Sequence, residues 1–250
     1  MNKVEIKKIL NKEYKNRDVD GEITETKPDP LLVVYENKDE YSALICSMFA
    51  YGRAGMIVKF LQKLDFSMLN EEEKEMENKF NGIYYRLQKE EDVKNLFISL
   101  NRLKKISSLE DIFYKGYKKE NNVIDGITSI ITEIYKINSY RSRGYSFLIG
   151  PTKVKLKGGS AYKRWNLFLR WMVRKDNIDL GLWTKVDKKD LIIPLDTHLH
   201  KMGLKFGLLT RKQADLAAAI ELTNSLKEFD EMDPLKYDLA IYRLGQEGIN

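Results

Sequence analysis

The residues best suited to chemistry in this 250-residue chain lie between Ile149 and His200. The stretch IGPTKVKLKGGSAYKRWNLFLRWMVR, Ile149 to Arg174, places Gly158 and Gly159 directly before a helical pattern that begins near Ser160. Glycines at such a point permit a tight turn and bring backbone N–H groups toward an anion at a helix N-terminus. On the helix, Trp165, Phe168, Leu169 and Met172 share an apolar face. Lys163, Arg170 and Arg174 line the opposite face, flanked by Arg164 and Trp171. With Lys155 and Lys157 ahead of the turn, the pattern fits a clamp on a phosphate backbone. Charge distribution agrees. Between Ser139 and Lys175 there are ten Lys or Arg and no Asp or Glu, whereas the rest of the chain carries 33 basic and 37 acidic residues. Clustered cations displace the counterions of a polyanion. A solvated basic face without a partner is the plainer alternative.

A second constellation is IIPLDTHLH, Ile192 to His200. Asp196 or Thr197 suits the N-cap of a helix running toward Lys205. His198 and His200 are the only histidines, and on a helix two residues of this spacing diverge. With no third ligand nearby, no metal site is expected, and the rings are expected to pack or to meet phosphate. The single cysteine, Cys46, lies in SALICSMFAY and reads as a buried structural thiol. Alone it supplies neither a disulfide nor a zinc or iron–sulfur site, and no cofactor is expected.

These residues need a helical frame, and helical periodicity is plentiful. Val93, Leu96, Phe97 and Leu100 repeat on one face, as do Val123, Ile127, Ile130, Ile131 and Ile134. Tyr41 to Tyr51 is apolar nearly all round, as in a central buried helix. Thr210 with Gln213 reads as a capping box, and Asp233-Pro234 as the start of a last helix that Gly245 terminates. LLVVY at Leu31 is the best strand candidate, equally readable as a buried helical turn, Asp18 to Pro30 is a polar connector, and the acidic Asn70 to Asn78 reads as a solvated helix or loop. The fold class is all-α, with about a dozen helices. A composition of 43% hydrophobic and 32% charged residues excludes a disordered chain. The apolar runs are too short for a bilayer and the N-terminus lacks a signal-peptide core, so a cytoplasmic protein without a membrane partner is expected.

At GGSAYKRWNLFL the sequence resembles the hairpin and following helix of endonuclease III-type DNA glycosylases, the helix-hairpin-helix superfamily. Gly159 takes the first glycine of its Gly-x-Gly-x-Lys element, Ala161 the second, Lys163 the lysine and Asn166 the asparagine after it. PLDTHLHKMG resembles the superfamily's Val-Asp-Thr-His element, which places Asp196, Thr197 and His198. YSALICSMFAYGRAGMIVKFL resembles its early buried helix, which places Tyr51, Gly52 and Arg53 at the lesion cleft. AYG, Tyr85-Arg86, YKRWNLFLRWMVR, DLGLW and PLDTHLH also resemble a bacterial family without assigned function, from about Glu40 to Gly245. The chain departs from endonuclease III in three ways. It lacks a Leu-Pro before the hairpin glycine, it inserts LGLWTKVDKKD between Lys163 and Asp196, and it has no four-cysteine cluster.

The resemblance implies a two-lobed helical bundle. Residues 1–37 form an extension and connector, and residues 38–250 a glycosylase-like domain with interleaved lobes, the central one over about 90–200. It also implies Lys163 and Asp196 as catalytic residues acting on a flipped base in duplex DNA, with no iron–sulfur cluster. Lys163 would attack the anomeric carbon as free amine, its protonation disfavoured by Arg164 and the helix N-terminus, and Asp196 would assist deprotonation. Gly158, Gly159, Ser160, Arg164, Arg170, Arg174, Lys155 and Lys157 would hold the nucleic acid. Tyr51, Arg53, Trp165 and His198 would line the pocket, with Trp183 a further stacking candidate. Two other classes remain: a non-catalytic DNA or RNA binder that uses the hairpin and basic helix, and a protein-interaction module.

Overall fold

The structure is a computed structural model that describes residues 1–247. Among the described residues there are twelve α-helices and no strand, only isolated bridges at Tyr85–Gln88 and Lys175–Leu180. No helix is long and apolar enough to cross a membrane. The chain forms two compact units. Unit 1 comprises residues 1–22 and 155–250, and unit 2 residues 23–154.

Unit 2 holds α2 (Leu31–Asn37), α3 (Glu40–Met48), α4 (Ala54–Leu61), α5 (Glu90–Lys104), α6 (Leu109–Tyr117), α7 (Val123–Ile137) and α8 (Arg143–Ile149). LLVVY is helical in α2, not a strand, because Asp29 Oδ1 accepts the Leu31 N–H at 2.9 Å and starts the turn. The all-round apolar stretch forms α3, buried from Tyr41 to Met48 as its composition requires. The stripes read on α5 and α7 are buried. The acidic segment is a solvated loop with a 3-10 turn at Glu73–Met76, exposed at most positions and anchored by the buried Met76.

One polar group organises this core. Asn101 on α5 is wholly buried, and its Nδ2 donates to the carbonyls of Met68, Leu69 and Glu71 at 3.3, 3.1 and 2.9 Å. Asn101→Leu leaves these acceptors without their donor in a buried place. A loss of about 1–3 kcal/mol is expected, read as a lower urea midpoint. An unchanged midpoint would show that the segment after α4 is held by other contacts.

Unit 1 holds α1 (Lys3–Arg17), α9 (Lys163–Val173), α10 (Thr197–Lys205), α11 (Leu216–Lys227) and α12 (Asp238–Glu247). Residues 1–22 pack within this unit. Ile6 and Leu10 are buried, Arg17 pairs with Glu247 at 2.6 Å, and the Tyr237 hydroxyl donates to Asn11 at 3.0 Å. Two helix ends fall elsewhere than the sequence signals predict. α11 is capped by Asp215, whose Oδ1 accepts the Ala218 N–H at 3.2 Å, while Thr210 turns instead to Glu221. Gly245 lies inside α12 and does not end it. A Cβ there would come within 3.2 Å of His198 Cβ and Met202 Cγ, so this glycine serves the close approach of α12 to α10.

Candidate functional site

The turn before α9 is built without a glycine at its decisive residue. Tyr162 adopts φ +53° and ψ 29°, and the helix begins at Lys163 rather than near Ser160. The Tyr162 N–H donates to Ser160 Oγ at 3.0 Å, and Asn166 Nδ2 donates to the Ala161 carbonyl at 3.2 Å. Lys163 thus occupies the first helical position, at the positive end of the α9 dipole. The expected run of N–H groups free for an anion is not preserved at Gly158. This residue takes φ +73°, but its N–H donates to Asp215 Oδ2 at 2.8 Å. Leu156 also accepts the Ala217 N–H at 2.9 Å, so the start of α11 anchors the loop. Lys155, Lys157 and Ser160 are exposed, and Gly159 and Arg164 half-buried.

Asp215 had no role in the sequence reading. It is fully buried, and Arg211, the Gly158 N–H and the Ala218 N–H together hold its carboxyl well below the usual carboxylate range. A depressed folded-state value makes the contribution present above the unfolded carboxylate pKa of about 3.9 and lost as pH falls below it. Asp215→Asn is accordingly expected to be less stable than wild type at neutral pH, because the amide can still cap α11 but no longer carries the charge that pairs with Arg211. The gap should narrow below about pH 4. Parallel urea titrations would check this, and a gap independent of pH would mean that the negative charge is not what holds the loop.

Asp196 is the N-cap of α10, as its position predicts. Its Oδ1 accepts both the His198 and Leu199 N–H groups, at 2.8 and 2.9 Å. Oδ2 takes no hydrogen bond from a described residue, so capping occupies only one carboxylate oxygen. The helix starts at Lys163 and Asp196 meet electrostatically at a third residue. Asp238, at the start of α12, is buried and ion-paired with Arg170. Burial pushes its carboxyl up and Arg170 draws it back. The negative charge of Asp196 raises it further, and the positive charge of Lys163 lowers it. Lys163 and Asp196 therefore both lie within Coulombic reach of one buried carboxyl. No sequence signal marked Asp238, whose Arg170 partner is 68 residues away.

Arg170 and Arg174 are a correction. They are 5% and 4% exposed, and their guanidiniums face Asp179, Asp238, Asp233 and Asp176 rather than solvent. The predicted basic ridge is thus a buried charge network, and α9 is buried from Trp165 through Val173. Trp165 is core at 3% exposure, and Trp183 packs edge-on against Phe168 at 5.3 Å, so neither offers a face for stacking. The His198 ring meets Tyr242 edge-on at 5.6 Å, and His200 Nε2 lies 3.0 Å from the Arg211 carbonyl. Among the described residues no group of three His, Cys, Asp or Glu is arranged to hold a metal ion. Cys46 is wholly buried, which pushes its thiol up.

Tyr51 and Arg53 belong to unit 2. The Tyr51 hydroxyl donates to Gln88 Oε1, and Gln88 Nε2 donates to the Gly144 carbonyl at 3.0 Å. The Tyr85 hydroxyl donates to the Tyr51 carbonyl at 2.7 Å, and Tyr85 and Phe147 meet the Tyr51 ring edge-on at 5.2 and 5.0 Å. Tyr51 is a half-buried, fixed ring, and Arg53 is exposed.

Compared with known proteins, the chain matches one family model over residues 29–247, described as protein of unknown function (DUF2400). No curated protein and no solved structure matches.

Proposed function

We propose that this chain, which belongs to the DUF2400 family, binds nucleic acid and acts on damaged DNA as a glycosylase with abasic-site lyase activity. The fold envisaged is that of the helix-hairpin-helix glycosylases. The observation that carries the reading is the placement of Lys163 and Asp196. Each begins a helix, and the charges of both reach the buried Asp238. A lysine amine attacks the anomeric carbon of a flipped nucleotide, the base leaves, and a Schiff base forms on Lys163 Nζ. Loss of a proton from the sugar C2′ then expels the 3′ phosphate by β-elimination. Asp196 Oδ2, unencumbered by the cap, is the oxygen able to relay a proton and to stabilise positive charge on the sugar. Lys155, Lys157 and Arg164 remain as phosphate contacts on the loop and at the start of α9. Arg170 and Arg174, buried and paired, hold α9 in place.

The reading is tested by incubating the protein with a duplex that carries one abasic site and adding borohydride, which reduces a lysine Schiff base to a stable amine crosslink. A crosslinked species is expected. Binding of the duplex without crosslink or strand cleavage, on abasic or modified-base substrates, would leave a non-catalytic nucleic-acid reader.

A further inference from the structure

We propose that unit 2 carries a separate binding groove for single-stranded nucleic acid, between α4 and the Gly82–Arg86 loop. The groove measures about 630 Å³ and is lined by four cations, Arg53, Lys59, Lys63 and Arg86, with no Asp or Glu among its lining residues. All four are exposed, and none makes an ion pair with a described residue. Some cations of the same unit, Lys94, Arg102, Lys104 and Lys136, do find carboxylates. Uncompensated cations around one concavity create the positive potential that a polyanion would neutralise.

The groove also offers a ring. Tyr84 is 76% exposed at its rim, beside Met56 at 60%. An exposed aromatic among cations matches the way unpaired strands are held, with phosphates on the basic groups and a base stacked on the ring. Duplex DNA hides its base faces, so the ring favours a single strand. An acidic peptide would satisfy the charges but leave Tyr84 unused.

The loop is held in one conformation by its own tight turn, since Tyr85 and Gln88 exchange backbone hydrogen bonds of 3.0 and 2.9 Å around Arg86 and Leu87. Arg86 adopts φ +54°, and Gly52 adopts φ +114° with Arg86 Nη1 and Tyr85 Oη at 2.9 and 3.0 Å from where a Cβ would sit. The Arg86 guanidinium lies 5.7 Å from the Tyr51 ring centroid, and Glu90, outside the lining, holds the Gly82 N–H at 2.8 Å. Left-handed backbone at a non-glycine residue persists only where its surroundings fix it, and a loop so fixed loses little freedom on binding. The assignment uses unit 2 residues only and does not depend on the Lys163 chemistry.

The test uses the full chain and a fluorescein-labelled oligothymidylate of about 15 nucleotides, a length matched to single-strand sites. Anisotropy is measured between about 50 and 200 mM salt. Wild type is expected to bind, and Tyr84→Ala to bind roughly 5- to 150-fold more weakly, the range of one lost base stack. Lys59→Glu with Lys63→Glu should weaken binding at least about tenfold and reduce the salt slope by about 1–2. Lys7→Glu with Lys8→Glu, exposed cations on α1 outside both proposed sites, should leave oligothymidylate binding near wild type. No binding by wild type, or full binding by both groove variants, overturns the groove. So does a labelled oligoglutamate of equal charge that binds as tightly as the oligothymidylate. Weakening in the Lys7/Lys8 variant equal to that in the groove variants would mean that the strand answers only to net charge, and likewise overturns it. The borohydride crosslink is read separately, so the two proposals can fail independently.

Discussion

Replacing Lys163 by alanine is expected to abolish the borohydride-trapped crosslink to an abasic duplex while leaving affinity for that duplex within about threefold of wild type, a difference below 1 kcal/mol. The crosslink is a bond to one nitrogen, so loss should be complete rather than graded. The side chain is half-buried at the first position of α9, where alanine is an excellent helix former, and folding should survive. Asp196→Asn makes the sharper comparison. Its amide oxygen can still accept the His198 and Leu199 N–H groups, so the cap persists. Its second atom becomes an amide nitrogen that cannot take a proton, and turnover should fall about 100-fold or more with binding retained. A crosslink that survives in Lys163→Ala would assign the amine elsewhere. Asp196→Asn activity equal to wild type would reduce Asp196 to a helix cap.

Asp179→Ala is expected to remove about 3–5 kcal/mol of stability, the range for breaking a buried ion pair by deleting one partner. Asp179 is 3% exposed and serves two guanidiniums, Arg170 Nε at 3.1 Å and Arg174 Nη1. Alanine would leave both cations buried with part of their donors unsatisfied. Asp238 remains on Arg170, and Asp176 and Asp233 on Arg174, at 2.8 Å each for the latter pair. The surviving carboxylates keep the guanidiniums charged, so neutralisation offers no relief. Urea denaturation monitored by the helical signal would measure the change, and a loss under 1 kcal/mol would mean that water or the remaining aspartates replace Asp179. The same variant probes the site indirectly. Arg170 bridges this network to Asp238, which both Lys163 and Asp196 influence, so a folded Asp179→Ala protein should also crosslink less.

How much was legible in the sequence varies by kind of signal. Local signals served well at α3, α5 and α7, where apolar spacing alone requires a buried helix, and at Asp196, where a capping side chain acts within three residues of itself. They misled at Thr210 and Gly245. A capping pattern there competes with a better one five residues on, and a glycine used for helix packing looks the same in sequence as one that ends a helix. The proposed pairing of Lys163 with Asp196 rests on the resemblance, since spacing alone does not supply it.

By itself, then, the sequence determined an all-helical chain, its main apolar faces and a concentration of positive charge after Ser139. Tertiary structure alone decided where that charge goes. Arg170 and Arg174 turn inward because Asp179, Asp233 and Asp238 meet them there, and two of those carboxylates come from 59 and 68 residues away. Gly158 lends its N–H to Asp215 rather than to a ligand because a helix begun 57 residues later packs against its loop. Periodicity reports which side of a helix is apolar. It cannot report which distant carboxylate neutralises a cation, since that depends on contacts that exist only once the chain has folded.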